Sequence, residues 1–408
     1  MNTIRLGWRN LRRNFRRSLT TALSIAFGFA AVALFSGYTK MVYLGLTDQA
    51  VHGELLGHLT LSKRGMSKEG RLHPQRYLLQ PEEIARIAAI VHAQIPEARL
   101  VPRLSISGLA SNGRVSTIFL AEGIAAEDMV RLRGPYSANP GGLSAQAPQG
   151  ASVALGLAAL LGLKPGDDIQ LLTSTLHGQA NAVDASLLAS FSTGNAGLED
   201  KALYLPLALA RSLYDATDRA DRLTLLLPDI AQTEAARRQL AAAFADAGLA
   251  VDISTWQELS AFYRQVKGMF DMIFTFILAI VLTIVVMSVT NAMSMSVIER
   301  TREIGTLRAI GLRRGGVVRL FVAEALLLVG LGCLSGLLLT LLVRAGVNAA
   351  DITYTPPNST GKVALLVGFD LARVGITGAL LALLGLAAAV LPARRAARQP
   401  LIDALAHV

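Results

Sequence analysis

Four long runs of uncharged, mostly apolar residues interrupt an otherwise mixed pattern of hydrophobic and polar positions. The runs are Ser18–Thr39, Met272–Ile298, the 19 residues between Glu324 and Arg344, and the 20 residues between Arg373 and Arg394. About 20 residues of helix cross the ~30 Å hydrocarbon core of a bilayer. The pattern therefore predicts an α-helical membrane protein with four transmembrane helices, one before and three after a long, more polar segment.

The long segment after the first run has the shorter periodicities of a mixed α/β domain. Pro81 followed by two glutamates predicts a helix that runs to about His92. Alternating apolar positions predict strands at residues 100–110, 115–121, 168–173, 203–205, 222–227 and 249–254. Helices are expected at residues 153–161 and 233–247, and loops at residues 134–150 and 174–200, the second of them mobile.

The pattern becomes helical again from Thr255. Apolar residues then recur at spacings of three and four, and neither glycine nor proline interrupts them before Gly268. One interpretation is an amphipathic helix that continues into the second apolar run as a single stalk. The other is a helix packed on its own domain, and the pattern alone does not separate the two.

The formal charge of +10 would suit a nucleic-acid partner only if the basic residues covered a soluble surface. Residues 1–17, 299–316 and 392–408 together carry +11, whereas the rest of the chain carries −1. All three basic segments adjoin apolar runs, which is the positive-inside pattern of cytoplasmic segments. We therefore expect no nucleic-acid partner and place these segments in the cytoplasm.

This orientation predicts a multi-pass protein of the bacterial inner (cytoplasmic) membrane with both termini in the cytoplasm. The single cysteine, Cys333, leaves the outer domain without a disulfide, which favours a bacterial periplasm. The arginine-rich start resembles a signal peptide, but its apolar run is too long, so an uncleaved anchor is expected. The predicted segments are residues 1–17 (basic amphipathic N-terminus), 18–44 (first helix), 45–267 (periplasmic α/β domain ending in the stalk), 268–298 (second helix), 299–316 (cytoplasmic loop), 317–343 (third helix), 344–373 (periplasmic loop), 374–392 (fourth helix) and 393–408 (cytoplasmic tail).

The third apolar run carries two features of its own. Gly332 and Gly336 form a small-xxx-small pair that would let another helix approach closely. Glu324, at the start of the run, is an acid within the membrane, and such residues are usually functional. Because Arg319 and the basic loop are near in sequence, a structural role for Glu324 is favoured here.

Motifs for catalysis are missing from the sequence. The chain has no GxxxxGK[ST] phosphate loop and no HExxH, GxSxG or CxxC motif. His52 and His58 are too weak a pair to predict a metal site. We therefore predict a membrane protein that is not a self-contained enzyme and binds no cofactor or metal of its own.

The segment between the second and third apolar runs is the most informative. It reads ERTREIGTLRAIG over residues 299–311, with charges of alternating sign and a glycine that can end a short helix. Charge that merely fixes topology would explain the arginines but not Glu299, Glu303 and the spaced glycines. An exposed helix between two spans instead suits docking to a soluble partner.

This segment closely resembles the coupling-helix signature of the FtsX-like/MacB-like permeases of ABC transporters. Three further stretches share the resemblance, namely Trp8–Arg13, Leu157–Asp167 and the tail from Pro392 to Leu405. The resemblance implies a 1+3 helix layout, a homodimer or a pair with a sister permease, and a separate cytoplasmic ATPase subunit that binds ATP and Mg. The implied ATPase-coupling residues are Glu299, Arg300, Arg302, Glu303, Gly305, Arg308 and Gly311.

The branch of the family decides the expected cargo. Length and layout are most similar to the lipoprotein-releasing (LolC/LolE-type) permeases, and a Pro356-Pro357 loop adds weakly to that likeness. Extraction of lipoprotein or lipid from the membrane is therefore favoured, with a periplasmic carrier as partner. Residues where an acyl chain could enter are Phe35, Tyr38, Met41, Met269, Phe270 and Met272, although an ordinary packing or lipid-facing role is more common for such residues.

Other functions remain open at this stage. One is mechanically driven efflux of a peptide or drug through a periplasmic adaptor, although macrolide-exporter members usually carry a fused ATPase. Another is regulation of an envelope hydrolase. A membrane-anchored sensor without an ATPase belongs to a different class, and it would need a cytoplasmic signalling domain. No cytoplasmic segment predicted here exceeds about 20 residues.

Overall fold

The structure is a computed structural model that describes residues 3–70, 72–134, 142–355 and 362–400. Its helices are α1 (Thr3–Arg13), α2 (Phe15–Asp48), α3 (Met66–Glu69), α4 (Pro74–Tyr77), α5 (Pro81–Gln94), α6 (Ala126–Arg133), α7 (Leu155–Leu161), α8 (Leu207–Tyr214), α9 (Thr233–Asp246), α10 (Trp256–Leu259), α11 (Ala261–Glu299), α12 (Thr301–Ala309), α13 (Arg314–Ala349) and α14 (Leu371–Arg398). A π-helical turn, Gln49–Gly53, extends α2, and a 3-10 turn, Ile230–Gln232, precedes α9.

The strands lie mostly between α2 and α10. They are β1 (Leu59–Lys63), β2 (Arg99–Ser111), β3 (Ser116–Ile124), β4 (Gly150–Ala154), β5 (Asp168–Ser174), β6 (Ala180–Phe191), β7 (Ala202–Pro206), β8 (Arg222–Leu226), β9 (Val251–Thr255), β10 (Thr353–Tyr354) and β11 (Val363–Ala364). The chain divides into two compact units. The helix unit comprises Met1–Leu44, Val266–Tyr354 and Ala364–Val408, and the sheet unit comprises Gly45–Gln265 and Thr355–Val363.

Four helices in the described residues are long and apolar enough to cross a membrane. They cover Phe15–Gly53, Ala261–Glu299, Arg314–Ala349 and Leu371–Arg398. Four such helices are what the hydrophobic pattern predicts, and the 1+3 arrangement in the membrane stays a prediction. The first begins three residues before the charge-free run because Arg16 and Arg17 already lie in its first turn.

The helix unit is held together by one apolar core with close helix contacts. Ile25, Phe29, Val285 and Phe321 are among its fully or almost fully buried residues. Glycines permit the closest approach of α2 and α13. A Cβ atom added at Gly332 would lie 2.6 Å from Ile25 Cγ2, and one at Gly336 would lie 2.7 Å from the backbone oxygen of Ala26. The small-xxx-small pair of α13 is therefore occupied by α2 of the same chain.

The strand pairings of the sheet unit close into a ring. The strand order is β3-β7-β4-β6-β5-β2, and β2 pairs with β3 to complete the circle. Inward-facing residues such as Phe119, Val153, Leu171 and Leu203 fill the interior. The long strand β2 continues beyond the ring into a second sheet of order β2-β8-β1-β9. Helices α5 and α9 contribute Ile87 and other residues to the core that includes this second sheet.

A charged network ties β2, β3 and β8 to the segment after α2. The guanidinium of Arg103, 2% exposed, donates to the carbonyl oxygen of Leu55 and forms a 3.0 Å ion pair with Glu122. Arg222 pairs with the same carboxylate at 2.5 Å and with Asp221 at 2.7 Å. Leu55 has a φ of 56°, a strained conformation for a leucine. The network therefore fixes an unfavourable backbone turn in place.

One of the two loop predictions is wrong. Residues 174–200 were expected to be a mobile loop, but Ala180–Phe191 form β6, which pairs with β5 in antiparallel and with β4 in parallel orientation. Seven of its twelve residues are alanine, serine or asparagine, and its bulky apolar residues, Val183, Leu187, Leu188 and Phe191, do not alternate regularly, so the pattern does not mark a strand. Burial between two neighbours, rather than intrinsic propensity, makes this segment extended.

Two other boundaries differ from the prediction. The helix expected at residues 153–161 begins only at Leu155, because Gly150–Ala154 is a buried strand. The stalk expected from Thr255 is broken at Ser260, whose ψ of 101° is extended. From Ala261 onward the helix is continuous through Gly268 to Glu299. Within residues 134–150 only 134 and 142–150 are described, and Pro356-Pro357 lies outside the described residues.

Candidate functional site at the basic loop

The basic loop folds as a short helix with defined ends. Helix α11 stops at Glu299, Arg300 leaves the helical conformation, and α12 then runs from Thr301 to Ala309. The hydroxyl of Thr301 donates to the carbonyl oxygen of Val297 at 3.0 Å, which joins the two helices. Gly311 follows α12 with a φ of 106°, a left-handed conformation that glycine adopts without strain.

Arg300 is the central residue of this region. Its side chain is only 9% exposed. One guanidinium nitrogen lies 3.1 Å from Glu324 Oε2, and Nε lies 3.0 Å from Glu303 Oε2. The guanidinium also lies 5.7 Å from the ring centre of Phe321, a cation–π distance. Arg300 therefore connects the end of α11 to both α12 and α13.

Glu324 is the acid that the sequence places within the third apolar run. Its side chain is 4% exposed, and it accepts hydrogen bonds from Ser296 Oγ and Asn10 Nδ2, each at 3.4 Å. The charge partner is Arg300, 24 residues away in sequence, whereas Arg319 is exposed. The basic loop, as expected, provides the compensation that a buried carboxylate requires.

The N-terminal segment forms further ion pairs and hydrogen bonds with the two loop glutamates. Arg13 forms a 2.6 Å ion pair with Glu303. Arg17 pairs with Glu299 at 2.8 Å, and Asn14 Nδ2 donates to the same carboxylate at 3.2 Å. We call the full set the basic-loop cluster: Asn10, Arg13, Asn14, Arg17, Ser296, Glu299, Arg300, Glu303 and Glu324. A cavity of about 200 Å³ lies among five of these residues.

The ion pairs also favour the ionised form of the Glu303 carboxylate. Partial burial raises the pKa of Glu303, but the hydrogen bonds and charges of Arg300 and Arg13 outweigh burial and leave its pKa below the ordinary value. Glu303 is therefore a carboxylate at neutral pH and into the mildly acidic range. Both of its arginine partners remain engaged over that range.

The predicted coupling residues divide into an outward and an inward group. Glu299, Arg302, Glu303 and Gly311 are exposed. Arg300 and Gly305 are buried, and Arg308 is half-buried with its guanidinium donating to the carbonyl oxygen of Gln399. Only the outward group can contact a partner without rearrangement, and the inward group joins α12 to the rest of the helix unit. A coupling role for either group stays a prediction.

The prediction omits one residue that the structure places prominently. Ile310, just before Gly311, is 80% exposed at the end of α12. A single exposed aliphatic residue is common on protein surfaces, but at this position it offers an apolar contact within an otherwise charged loop. A large aliphatic residue beside a helix-ending glycine is the sequence signal that could have revealed it.

The residues predicted to admit an acyl chain fall into two groups. Phe35, Tyr38 and Phe270 pack together, with ring centres 5.8 to 6.1 Å apart. Met41 is half-buried, with its sulfur near Gly368. Met269 and Met272 are 48% and 73% exposed on α11. The aromatic group therefore closes the gap between α2 and α11, and the two methionines face away from the protein. Their role in admitting cargo stays a prediction.

A group of hydrogen bonds and one ion pair lies beside these rings. Tyr43 Oη donates to Asp271 Oδ1 at 2.9 Å, and Lys267 Nζ lies 2.5 Å from the other carboxylate oxygen. Tyr38 and Tyr354 share a hydrogen bond of 3.0 Å between their hydroxyl groups. These bonds join α2 to α11 and to the segment after α13. In this conformation the two helices are held closed at this end.

The two histidines of the weak metal prediction use their Nδ1 atoms within the protein. His52 Nδ1 lies 2.7 Å from the carbonyl oxygen of Leu132, and His58 Nδ1 accepts from the backbone N–H of Leu227 at 2.9 Å. Burial and the neighbouring His52 lower the pKa of His58 to about 4. Among the described residues, no group of three or more His, Cys, Asp or Glu could hold a metal ion.

Two family models match the chain. Residues 18–243 match the MacB-like periplasmic core domain, and residues 275–401 match the FtsX-like permease C-terminal domain. The first match covers more than half of the chain, and the second includes the basic loop. Together they include most of both the helix unit and the sheet unit.

Curated relatives match over a shorter stretch. The pyoverdine export ATP-binding/permease protein PvdT of Pseudomonas putida is 37% identical over 131 residues. The macrolide export ATP-binding/permease protein MacB of Bordetella avium is 37% identical over 132 residues. Each match covers 32% of this chain and 18% of the relative, so the aligned part is less than a fifth of the relatives' length. The periplasmic region of MacB from Actinobacillus actinomycetemcomitans aligns at 14% identity over 51% of this chain and 92% of that one, with a TM-score of 0.35, which does not establish a shared fold.

Proposed function

This chain belongs to the FtsX-like and MacB-like permease family of ABC transporters, and on that premise we propose that it converts ATP hydrolysis by a separate cytoplasmic ATPase into movement of its sheet unit on the periplasmic side. The proposal is carried by the ion pair between Arg300 and Glu324. That pair connects the loop that would meet the ATPase with the interior of a membrane helix.

Force applied to α12 has a direct route into the helix unit. An ion pair in a water-poor interior is stronger than one in water, because the local dielectric constant is low. Arg300 pulls on α13 through Glu324, and Thr301 bonds to α11 through Val297. Glu303 and Glu299 engage the N-terminal helices through Arg13 and Arg17. Movement of α12 would therefore displace several helices together.

The outward side of the loop suits a protein partner. Ile310 offers an apolar anchor, and the exposed Glu299, Arg302 and Glu303 precede it in the same loop with charges of both signs. Protein interfaces typically combine a central apolar anchor with a polar rim. We propose that this surface contacts the ATPase, which holds the ATP and Mg, and that the chain itself binds neither.

We further propose the inner membrane as location, with both termini and the basic loop in the cytoplasm. The three basic segments beside the apolar helices support this orientation. A second copy or a sister permease would complete the transporter. The filled core of the helix unit, with Phe29, Val285 and Phe321 buried, supports transmission of movement rather than conduction through one chain.

Two classes of cargo fit this function, a small exported molecule and a lipoprotein or lipid. The relatives are named for export of a macrolide and of pyoverdine, which supports a small exported molecule delivered through a periplasmic adaptor. The layout instead suggested extraction of lipoprotein or lipid. We propose the small-molecule class, because the aromatic contacts of Phe35, Tyr38 and Phe270 close the predicted acyl access between α2 and α11.

Co-purification from detergent tests the coupling function. The full chain should retain an ABC ATPase, whereas Glu303→Lys should lose it because the substitution reverses charge on the outward surface. Glu127→Lys is the matched control, since Glu127 is exposed in α6 of the sheet unit. Retention by Glu303→Lys, or absence of an ATPase from a wild-type preparation that keeps its oligomer, would overturn the proposal.

A deletion strain separates the cargo classes. Small-molecule export predicts accumulation of an exported compound or higher sensitivity to one, with lipoproteins correctly located. Lipoprotein extraction predicts lipoproteins retained in the inner membrane. Complementation by the wild-type chain and by Glu127→Lys, but not by Glu303→Lys, would connect either phenotype to the coupling surface.

A further inference from the structure

An apolar groove lies between α1, α2 and α13. Trp8, Phe15 and Leu19 line it from the first two helices, and Leu331 lines it from α13. Its volume is about 630 Å³, within the usual range of ligand pockets. Trp8 and Phe15 remain 47% and 62% exposed. The groove is therefore open to the surroundings of the helix unit.

The path of the N-terminal helices creates this groove. Gly7 lies against Leu327 of α13, and Ala22, 15 residues later, lies against Gly332. Fifteen residues of helix span about 22 Å, whereas the five residues from Leu327 to Gly332 span only about 8 Å. The N-terminal chain therefore does not run straight along α13; α1 ends at Arg13 and α2 begins at Phe15, so the chain changes direction at Asn14. The groove is lined by residues on both sides of this change of direction and by α13.

The arginines of this segment fall into two classes. Arg13 and Arg17 form ion pairs with Glu303 and Glu299. Arg9, Arg12 and Arg16 are exposed, and within the described part of the chain none of them has an acidic partner. Arg12 lines the groove itself. One cation without an acidic partner therefore lines the apolar cleft, and two more, Arg9 and Arg16, lie next to its lining residues Trp8 and Phe15 in sequence.

We infer that this groove binds an anionic phospholipid from the leaflet adjoining the basic loop. The lipid phosphate lies at Arg12, because a guanidinium binds phosphate with two hydrogen bonds. An acyl chain lies along Phe15, Leu19 and Leu331. From Arg12 to Ala22 the chain extends about 15 Å, half of the hydrocarbon core, which matches one leaflet. A lipid with a net negative headgroup is preferred because the positive charges of Arg9 and Arg16 add to that of Arg12.

Trp8 provides a reporter for this site. The chain has two tryptophans, and Trp256 is buried in the sheet unit at 3% exposure. The full chain is placed in phosphatidylcholine vesicles with increasing amounts of brominated phosphatidylglycerol or brominated phosphatidylcholine, and tryptophan quenching is recorded. Subtracting the signal of Trp8→Phe isolates the contribution of Trp8. We expect half-maximal quenching at a mole fraction at least about fivefold lower for the anionic lipid.

Charge variants distinguish a site from a general surface potential. Arg12→Gln should reduce the preference to about twofold, and the triple variant Arg9→Gln, Arg12→Gln, Arg16→Gln should remove it. The matched control is the triple variant Arg313→Gln, Arg314→Gln, Arg319→Gln, which removes the same charge from exposed arginines on the same side and should keep the preference. Equal quenching by both lipids in the wild type would overturn the inference. An equal loss of preference in the control variant would also overturn it. So would the absence of quenching by either lipid, which would indicate that a second copy covers the groove.

Discussion

Arg300 and Glu324 form an ion pair of 3.1 Å although both side chains are more than nine-tenths buried. One residue follows a membrane helix and the other lies within the next one. Removing two charges from water is costly, and the pair is tolerated because Ser296, Asn10 and Glu303 complete the hydrogen bonding around it. Such a pair is a weak source of stability but a specific connection between elements.

Breaking this pair on one side should destabilise the protein strongly. Glu324→Ala leaves Arg300 charged and without its buried partner, which costs about 3–5 kcal/mol of unfolding free energy. The double variant Arg300→Met, Glu324→Leu should recover most of that loss because no uncompensated charge remains. Thermal unfolding of the full chain in detergent measures both. We expect the double variant to bind the ATPase but stimulate its activity poorly, and full stimulation would refute a transmitting role for the pair.

The ion pair between Arg13 and Glu303 should behave differently because both residues are largely exposed. The pair itself contributes less than about 1 kcal/mol of stability. Reversing it with Arg13→Glu and Glu303→Arg together should still cost about 1.5–3 kcal/mol of unfolding free energy, because the buried Arg300 loses its contact with Glu303. ATPase binding should nevertheless remain lost, since the outward surface presents the wrong charge. Co-purification with the single and double variants tests this, and recovery of binding by the double variant would show that Glu303 acts only through Arg13.

Ile310 is expected to contribute to binding and not to folding. Ile310→Ala removes an 80% exposed side chain and should alter unfolding free energy by no more than about 0.5 kcal/mol. A central apolar anchor is worth about 2 kcal/mol or more, so affinity for the ATPase should fall about 30-fold. Ile352→Ala, another exposed isoleucine, is the control. Unchanged affinity, measured by titrating purified ATPase onto the immobilised chain, would remove Ile310 from the interface.

Acid should weaken the sheet unit through Glu122. Burial raises its pKa, but the charges of Arg222 and Arg103 lower it to about 2 overall. A depressed pKa contributes stability that is complete above the unfolded-state value near 4.5 and declines as pH falls towards 2. Glu122→Gln should cost about 2–3 kcal/mol at pH 7 and little at pH 2. Hydrogen exchange of residues 99–124 in the full chain measures this difference, and a pH-independent difference would contradict it.

Gly268 offers a test of stiffness in α11. No atom lies within 4 Å of the Cβ that Gly268→Ala would add, so the change should stabilise the helix by about 1 kcal/mol. We expect stronger hydrogen-exchange protection around residue 268 and undiminished ATPase stimulation. Gly332→Ala is the contrasting variant, because its Cβ would meet Ile25 at 2.6 Å and destabilise the core. Loss of stimulation in Gly268→Ala would show that this glycine is a hinge.

The sequence predicts the membrane helices and the family more fully than it predicts the site. Long apolar runs and the ERTREIGTLRAIG segment are local signals, so the four helices are present and the family is confirmed. The partner of Glu324 is 24 residues away, and no local pattern distinguishes Arg300 from the exposed Arg302. β6 is not predicted because its many small and polar residues hide an irregular apolar pattern, and its extended form depends on pairing with β4 and β5. Local sequence patterns do not contain the tertiary contacts that decide these features.

The unbroken course of α11 restricts how its length can vary. Val281 and Val285 face the core of the helix unit, and so do Met293 and Val297 further along the same helix. An insertion of one residue between these positions would rotate one buried face by about 100° relative to the other. Seven residues amount to nearly two whole turns and would leave an offset of only about 20°. Tolerated insertions in this helix should therefore be those close to a whole number of turns, such as about seven or about eighteen residues, so natural variants must keep the helical phase.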